Sequence, residues 1–380
     1  MLKRWWIISL LTLIASLACI PTTAEAQDFT GSKLLNDSSD QNLYLRWENS
    51  YFIRDREYYG KIAKGYMSIG VFAKPTLEYY FTRNTRVSTG AYLLKYSGRD
   101  KFSQLIPIFS VEQRLFKHVY VVLGNIYGTN SHQLDEPIYR MGNYFTNNVE
   151  YGGQILFDFK HLTSDFWLNW THFIQEGDPL RESFQMGTSL NWEIGTGAWR
   201  LAIPLQLFTV HHGGEISSST RPTTTLFNGA TGVKIYYRFM KNKQLSIEPM
   251  IYRYKALRGP ELGIYSQAFK QGWASYIKIR YKQPYFSFMA GYWQANKFIA
   301  PYGEQLFQSV SNIDSNYTEA SKQLLSFKFI FNYPVSKGIQ IQLRSDEYYD
   351  FTSFKMNHSY SLYFIINEAF FIKHLKYSAQ

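Results

Sequence analysis

The chain has 380 residues with a formal net charge of +11, and it is 18% aromatic but only 18% charged. A mean hydropathy of -0.28 excludes a bundle of membrane helices, and no stretch beyond the N-terminus approaches the roughly 18 consecutive apolar residues of a spanning helix. The basic residues are dispersed, without a basic tail or a recognisable binding motif, which excludes nucleic acid as a partner.

Lys3 and Arg4 precede an apolar run from Trp5 to Ala18, and Ala24-Glu25-Ala26 offers a small-x-small cleavage site. Residues 1–26 therefore read as a secretory signal peptide, and 27–380 as one domain. The single cysteine, Cys19, falls in the removed segment, so the mature chain needs no disulfide and offers no thiol chemistry. A polar lead-in over 28–40 is followed by a first strand over 41–53, with Leu43, Leu45 and Trp47 on one face and Arg46, Glu48 and Ser50 on the other. The second strand, 65–82, is interrupted at Pro75, which predicts a bulge or kink. Strands over 86–96, 102–116 and 119–127 lead to an aperiodic segment, 128–147. Strands over 148–161, 164–175, 183–194 and 198–211 follow, the last two joined by the tight turn Gly195-Thr196-Gly197.

Residues 226–297 carry the clearest pattern. Phe227, Gly229, Thr231, Val233, Ile235, Tyr237 and Phe239 alternate with Asn228, Ala230, Gly232, Lys234, Tyr236 and Arg238, a two-residue period with unlike faces. After a turn at 241–243, Leu245, Ile247, Pro249 and Ile251 oppose Ser246, Glu248, Met250 and Tyr252. Two further strands repeat the pattern to Trp293. The segment 298–320 reads as the longest polar loop, and strands over 321–333, 339–349 and 358–372 complete the chain.

The count is sixteen. Tight turns and longer loops alternate, with the loop after the third strand the shortest of the long set. An all-β, transmembrane, antiparallel up-and-down β-barrel follows, with short periplasmic turns, long extracellular loops and both termini periplasmic. Aromatic residues are expected on the lipid face and at the interfaces. A soluble sandwich with an aromatic core is disfavoured, because its strands run to roughly 5 to 6 residues. The basic excess suits outer-membrane lipid and anionic lipopolysaccharide, or anionic solutes in the lumen.

This pattern resembles the bacterial outer-membrane porins over nearly all of the mature chain, by architecture and not by a family motif. The resemblance implies a channel for passive diffusion of small hydrophilic solutes, anionic or sugar-like, and assembly with further copies of itself. It also implies that the third outer loop folds into the lumen, which makes Asp135, Glu136 and Arg140 the constriction-loop candidates. Two family features are missing: the acidic-aromatic-glycine motif of that loop, since Pro137, Ile138 and Tyr139 follow Glu136, and a terminal aromatic. The alternative reading is a non-conducting barrel that serves as a structural, binding or receptor surface.

The inward faces of the tenth and twelfth strands combine Lys234, Arg238, Lys278, Arg280 and Lys282, opposed by Glu248 alone on the strand between. Such a basic wall lowers the barrier for anions in a low-dielectric pore. Pairing with Glu112, Glu150, Asp158 or Glu193 across the lumen is the competing reading. Arg46 with Glu48, and Arg344 with Asp346, read as local wall pairs. His211 and His212 are adjacent on a strand and point to opposite faces, so they are not expected to share a metal. His172, His358 and Ser359 are the residues an enzyme reading would use, but no Gly-x-Ser-x-Gly or metalloprotease motif accompanies them. The chain is therefore read as a non-enzyme, with no cofactor implied.

Overall fold

Along most strands burial alternates from one residue to the next, and that period sets the architecture. In the first strand Glu48, Ser50, Phe52, Arg54 and Arg56 are buried while Trp47 and Tyr51 are exposed. The computed structural model describes Leu35 and residues 40–240, 242–259 and 268–375. The expected signal peptide, most of the polar lead-in and position 241 lie outside the described residues.

Sixteen strands form one closed antiparallel barrel: β1 Asn42–Glu57, β2 Ser68–Thr82, β3 Thr85–Tyr96, β4 Gln104–Phe116, β5 Val119–Asn125, β6 Tyr151–Phe159, β7 Leu162–His172, β8 Glu182–Ile194, β9 Trp199–Gly213, β10 Thr224–Gly232 continuing as Lys234–Met240, β11 Lys243–Arg258, β12 Gln271–Lys282, β13 Phe286–Asn296, β14 Ser321–Ser336, β15 Ile339–Asp350 and β16 Lys355–His374. Each strand pairs with its sequence neighbours. The last returns to the first, from Asn42 opposite His374 to Glu57 opposite His358, so no sheet edge is left open.

Two prolines disturb the ladder. Pro249 on β11 has no N–H to give, and β10 breaks beside it at Val233, whose own N–H bonds to the Pro249 carbonyl at 3.1 Å. Gly232 is required there, because a Cβ would sit 2.2 Å from that carbonyl oxygen. At Pro75 the pairing of β2 with β3 lapses between Ala73 and Thr76 and resumes in the same register, so the expected interruption is present without a register shift.

At one barrel end the chain turns within 83–84, 117–118, 160–161, 195–198, 283–285 and 337–338; at the other, connections run through 58–67, 97–103, 126–150, 173–181, 214–223, 297–320 and 351–354. The shortest of these longer connections is 351–354, not the one after β3, because β16 begins earlier than its apolar pattern indicates. The outer wall carries the apolar band a membrane barrel needs: Leu77, Phe109, Leu123, Phe166, Ile277, Phe288 and Leu343 are all exposed.

The lumen departs from expectation. Phe72, Tyr92, Tyr252, Tyr276, Trp293, Tyr348 and Tyr363 point inward and are fully buried, so the aromatics are not confined to lipid and interface. What buries them are two infolded connections, loop 3 (126–150) and loop 7 (297–320). Phe307 of loop 7 sits with its ring 5.0 Å from Trp293, 5.4 Å from Tyr276 and 5.8 Å from Tyr348. Phe145 of loop 3 lies 4.4 Å from Phe52 and stacks on Tyr363 at 5.8 Å, and its carbonyl accepts from the Tyr92 hydroxyl at 2.7 Å. The two loops also bond to each other, Arg140 N–H to the Tyr302 carbonyl at 2.8 Å and Glu304 N–H to the Glu136 carbonyl at 2.9 Å. Gly303 makes this possible, since a Cβ there would lie 2.0 Å from the Pro137 carbonyl oxygen. Loop 7, which reads as a polar outer loop, is half of a packed core.

Candidate functional site: a charged lumen under two infolded loops

Loop 3 spans the lumen from wall to wall. Near its N-terminal end it forms a short 3-10 turn, Thr129–His132, and near its C-terminal end a single α-helical turn, Asn143–Thr146. His132 is fully buried and stacks on Trp167 of β7 with rings 3.7 Å apart. Its Nδ1 meets Asp165 Oδ2 at 2.7 Å and its Nε2 meets Glu150 Oε2 at 3.1 Å. Burial alone would depress this imidazole, but the two carboxylates outweigh it and hold the pKa at about 9. The histidine is thus an imidazolium at neutral pH and a clamp between loop and wall. The sequence shows His132 within an aperiodic segment and assigns it no role; its partners lie on other segments, with no spacing signal to find them.

The constriction-loop candidates each find a partner. Asp135 Oδ2 accepts from Lys278 Nζ at 2.9 Å and from the Tyr252 hydroxyl at 2.6 Å. Burial would raise its carboxyl, but Lys278 and Lys234 hold it well below the usual carboxylate range. Glu136 pairs with Lys328 and accepts from the Tyr348 hydroxyl at 3.1 Å. Arg140 turns back on its own loop, its Nε donating to Asn143 Oδ1 at 3.2 Å.

The five residues of the basic wall are divided by the structure. Lys278 is buried and committed to two carboxylates, Asp135 at 2.9 Å and Glu248 at 3.5 Å. Arg280 lies 3.7 Å from Glu248. Lys234, Arg280 and Lys282 border a cavity of about 680 Å3 beneath loop 3, which Asp135, Asp165, Glu193 and Glu248 also line. Arg238 is exposed at the short-turn end and does not border it. The competing pairings fall elsewhere: Glu112 takes Arg86 at 2.5 Å and Glu193 lies 3.8 Å from Arg200. Arg344 and Asp346 do pair, at 2.7 Å. Arg46 does not pair with Glu48; it reaches across to Glu78 on β2 at 2.6 Å, and Glu48 instead accepts from Tyr144 of loop 3 at 2.9 Å.

His211 and His212 bond apart, the first to Thr225 at 2.9 Å and the second to Ser183 at 2.7 Å. Among the described residues no group of three or more His, Cys, Asp or Glu could hold a metal ion. Ser359 is buried inside the barrel while His358, its neighbour, is on the outer face, so they cannot act as a pair. His358 Nδ1 is hydrogen-bonded instead to Glu347 of β15. Tyr59, whose hydroxyl donates to Glu57, lies edge-on to the His358 ring at 6.3 Å. This outward polar group sits at the long-loop rim.

A closed, sixteen-stranded antiparallel barrel with an apolar outer band defines a transmembrane barrel of the porin type. The fold is shared with a BenF-like porin from Pseudomonas fluorescens Pf-5 (TM-score 0.52, 10% identity, covering 87% of this chain and 100% of that one). It is also shared with OccK2 (OpdF) of Pseudomonas aeruginosa in complex with glucuronate (0.51, 10%, 88% and 99%) and with a loop L8 deletion mutant of OmpT from Vibrio cholerae (0.51, 8%, 85% and 99%). By sequence the chain belongs to the lipid A 3'-O-deacylase-type family, which it matches over residues 35–375. No curated protein matches it.

Proposed function

We propose that the protein works at the outer leaflet of the outer membrane as a barrel closed by its own loops, with its termini in the periplasm and lipid A as its substrate class. The observation that carries this reading is the lumen, which loops 3 and 7 fill from wall to wall, leaving the outer wall as the working surface. The family's description supplies the chemistry, hydrolysis of an acyl ester of lipid A. On the outer wall the chain offers His358 with Glu347, at the end of the barrel where long loops meet headgroups. With Nδ1–H donated to Glu347, Nε2 is left to take a proton from water as it adds to the ester carbonyl. The proton then passes to the departing alkoxide, giving a free fatty acid and a hydroxyl on the sugar. Mass spectrometry of lipid A from cells expressing the protein tests this: a species lacking one ester-linked acyl chain is expected, and is lost in His358→Asn. Unchanged lipid A, with the folded barrel shown to be in the outer membrane, would sink the reading.

A second reading is the diffusion channel. It is favoured by the charged cavity beneath loop 3 and by the shared porin fold, one of whose examples was solved with an anionic sugar acid. It requires loop 3 to move. Sustained single-channel conductance with anion preference in planar bilayers supports it; a silent bilayer containing folded protein counts against it.

A further inference from the structure

Beside Glu136 the lumen contains a small cavity of about 10 Å3, bordered by Arg54 and Arg56 of β1, Glu304 of loop 7, Arg344 of β15 and Ser359 and Ser361 of β16. Glu136 and Asp346 border it as well, so three arginines meet three carboxylates, but they are not paired one to one. Asp346 is taken by Arg344 at 2.7 Å, and Glu136 by Lys328 with Arg344 at 3.9 Å. Glu304 accepts from the Tyr58 hydroxyl at 3.4 Å and from the Gln305 N–H at 3.0 Å. Among the described residues, neither Arg54 nor Arg56 has a carboxylate within ion-pair distance. Lys328, which does not border the cavity, shares Glu136 and Asp346 with Arg344, so Arg54 and Arg56 are left facing Glu304 alone, beyond ion-pair distance.

Arg54 is the least satisfied of the three arginines. It is 8% exposed, its guanidinium lies 5.0 Å from the centre of the Phe145 ring, and its Nε has no hydrogen-bond acceptor. Arg56 donates to the Tyr66 hydroxyl at 3.1 Å. The two guanidiniums converge under loop 3, since a Cβ at Gly142 would lie 3.1 Å from one Nη2 and 3.6 Å from the other. Across the barrel seam Arg54 stands opposite Ser361 and Arg56 opposite Ser359, which places two hydroxyls beside the pair. A buried guanidinium without a counter-charge in contact is costly, and no carboxylate among the described residues comes within ion-pair distance of Arg54.

We infer that this cavity is a binding site for one chloride-sized anion, held by Arg54 and Arg56 with the hydroxyls of Ser359 and Ser361. A space of this size admits a single water-sized occupant and excludes phosphate, sulfate or a carboxylate ligand. Water would fit but would leave two guanidiniums sharing the single carboxylate of Glu304. The bound ion ties β1 and β16, the two strands that close the barrel, to the underside of loop 3. The site does not depend on whether the barrel acts on lipid A or conducts.

Crystals of the full barrel grown with bromide in place of chloride test the inference directly. An anomalous bromide peak between Arg54 and Arg56 is expected, and a cavity holding only water overturns the site. In parallel, the heat-unfolding midpoint of the refolded protein is measured in chloride and in gluconate at equal ionic strength. The midpoint is expected to fall by several degrees in gluconate, and Arg54→Gln is expected to abolish that difference. Equal midpoints in the two salts, or the same difference in the variant, overturn it. Should Arg54→Gln not fold, the bromide peak in the unaltered protein decides alone.

Discussion

The two halves of the lumen are built on opposite principles. Towards the long loops the interior is packed like a soluble core, with Trp293, Phe298, Phe307, Tyr276 and Tyr348 in edge-to-face or tilted contact and Phe145 against Phe52 and Tyr363. Towards the short turns it holds a cavity of about 680 Å3 lined by charged and amide side chains. Strand number does not separate them, since the same sixteen strands pass through both. The difference is made by two connections that turn inward, and barrels of 16 to 18 strands otherwise leave an aqueous channel. Width is thus a property of the wall, and openness a property of the loops.

The largest effect should come from removing the cross-lumen segment. Replacing residues 129–146 by a short Gly/Ser linker is expected to raise the conductance in planar bilayers well above that of the intact barrel; no increase would show that loop 7 seals the lumen by itself. Next comes the packed half. Trp293→Ala should cost about 3 to 5 kcal/mol, as for large-to-small changes in soluble cores, read from the midpoint of heat- or urea-induced loss of the folded gel band. A cost under about 1 kcal/mol would mean that the packing is loose. A pH scan gives a smaller effect through His132. Its folded pKa of about 9 lies above the ordinary 6.5 of an unfolded histidine, so its stabilisation is complete below about 6.5 and is lost as pH rises through about 9. His132→Gln should flatten that stretch of the profile. Smallest is the open half: Lys282→Glu should change stability by no more than about 0.5 kcal/mol, yet move the reversal potential of the loop-replaced barrel toward cations. Lys278 is unsuitable for that test, because reversing its charge would set it against Glu248, its remaining partner there.

Much of the wall was legible because the strand period is local. Strand order, the inward position of Lys234, Lys278 and Arg280, and the interruption at Pro75 all follow from residues close in sequence. The filling of the lumen was not legible, for a physical reason. Inward Tyr252, Tyr276 and Trp293 alternate with outward Ile251, Ile277 and Tyr292, so both faces are apolar and the period no longer says which one is wet. Loop 7 mixes Phe298, Leu306 and Phe307 with Ser, Gln and Asn, and its burial is visible only once strands far away in sequence surround it. The same holds for charge. Asp135 was identified, but Lys278, 143 positions later, becomes its partner only through the fold.

The seam between β1 and β16 has a consequence for how the molecule comes into being. Residues 42–57 find their last partner in residues 358–374, so the contact that completes the cylinder is separated by almost the whole length of the chain. Closure entropy grows only slowly with such a separation, but rates fall steeply when native pairs are so distant along the chain. Until β16 arrives, both seam strands display unpaired backbone, and the inward aromatics have no sealed interior to enter. Insertion should therefore be an all-or-none event paced by the C-terminal hairpin. Fragments ending before residue 355 should accumulate as open, chaperone-dependent sheets and not as narrower barrels.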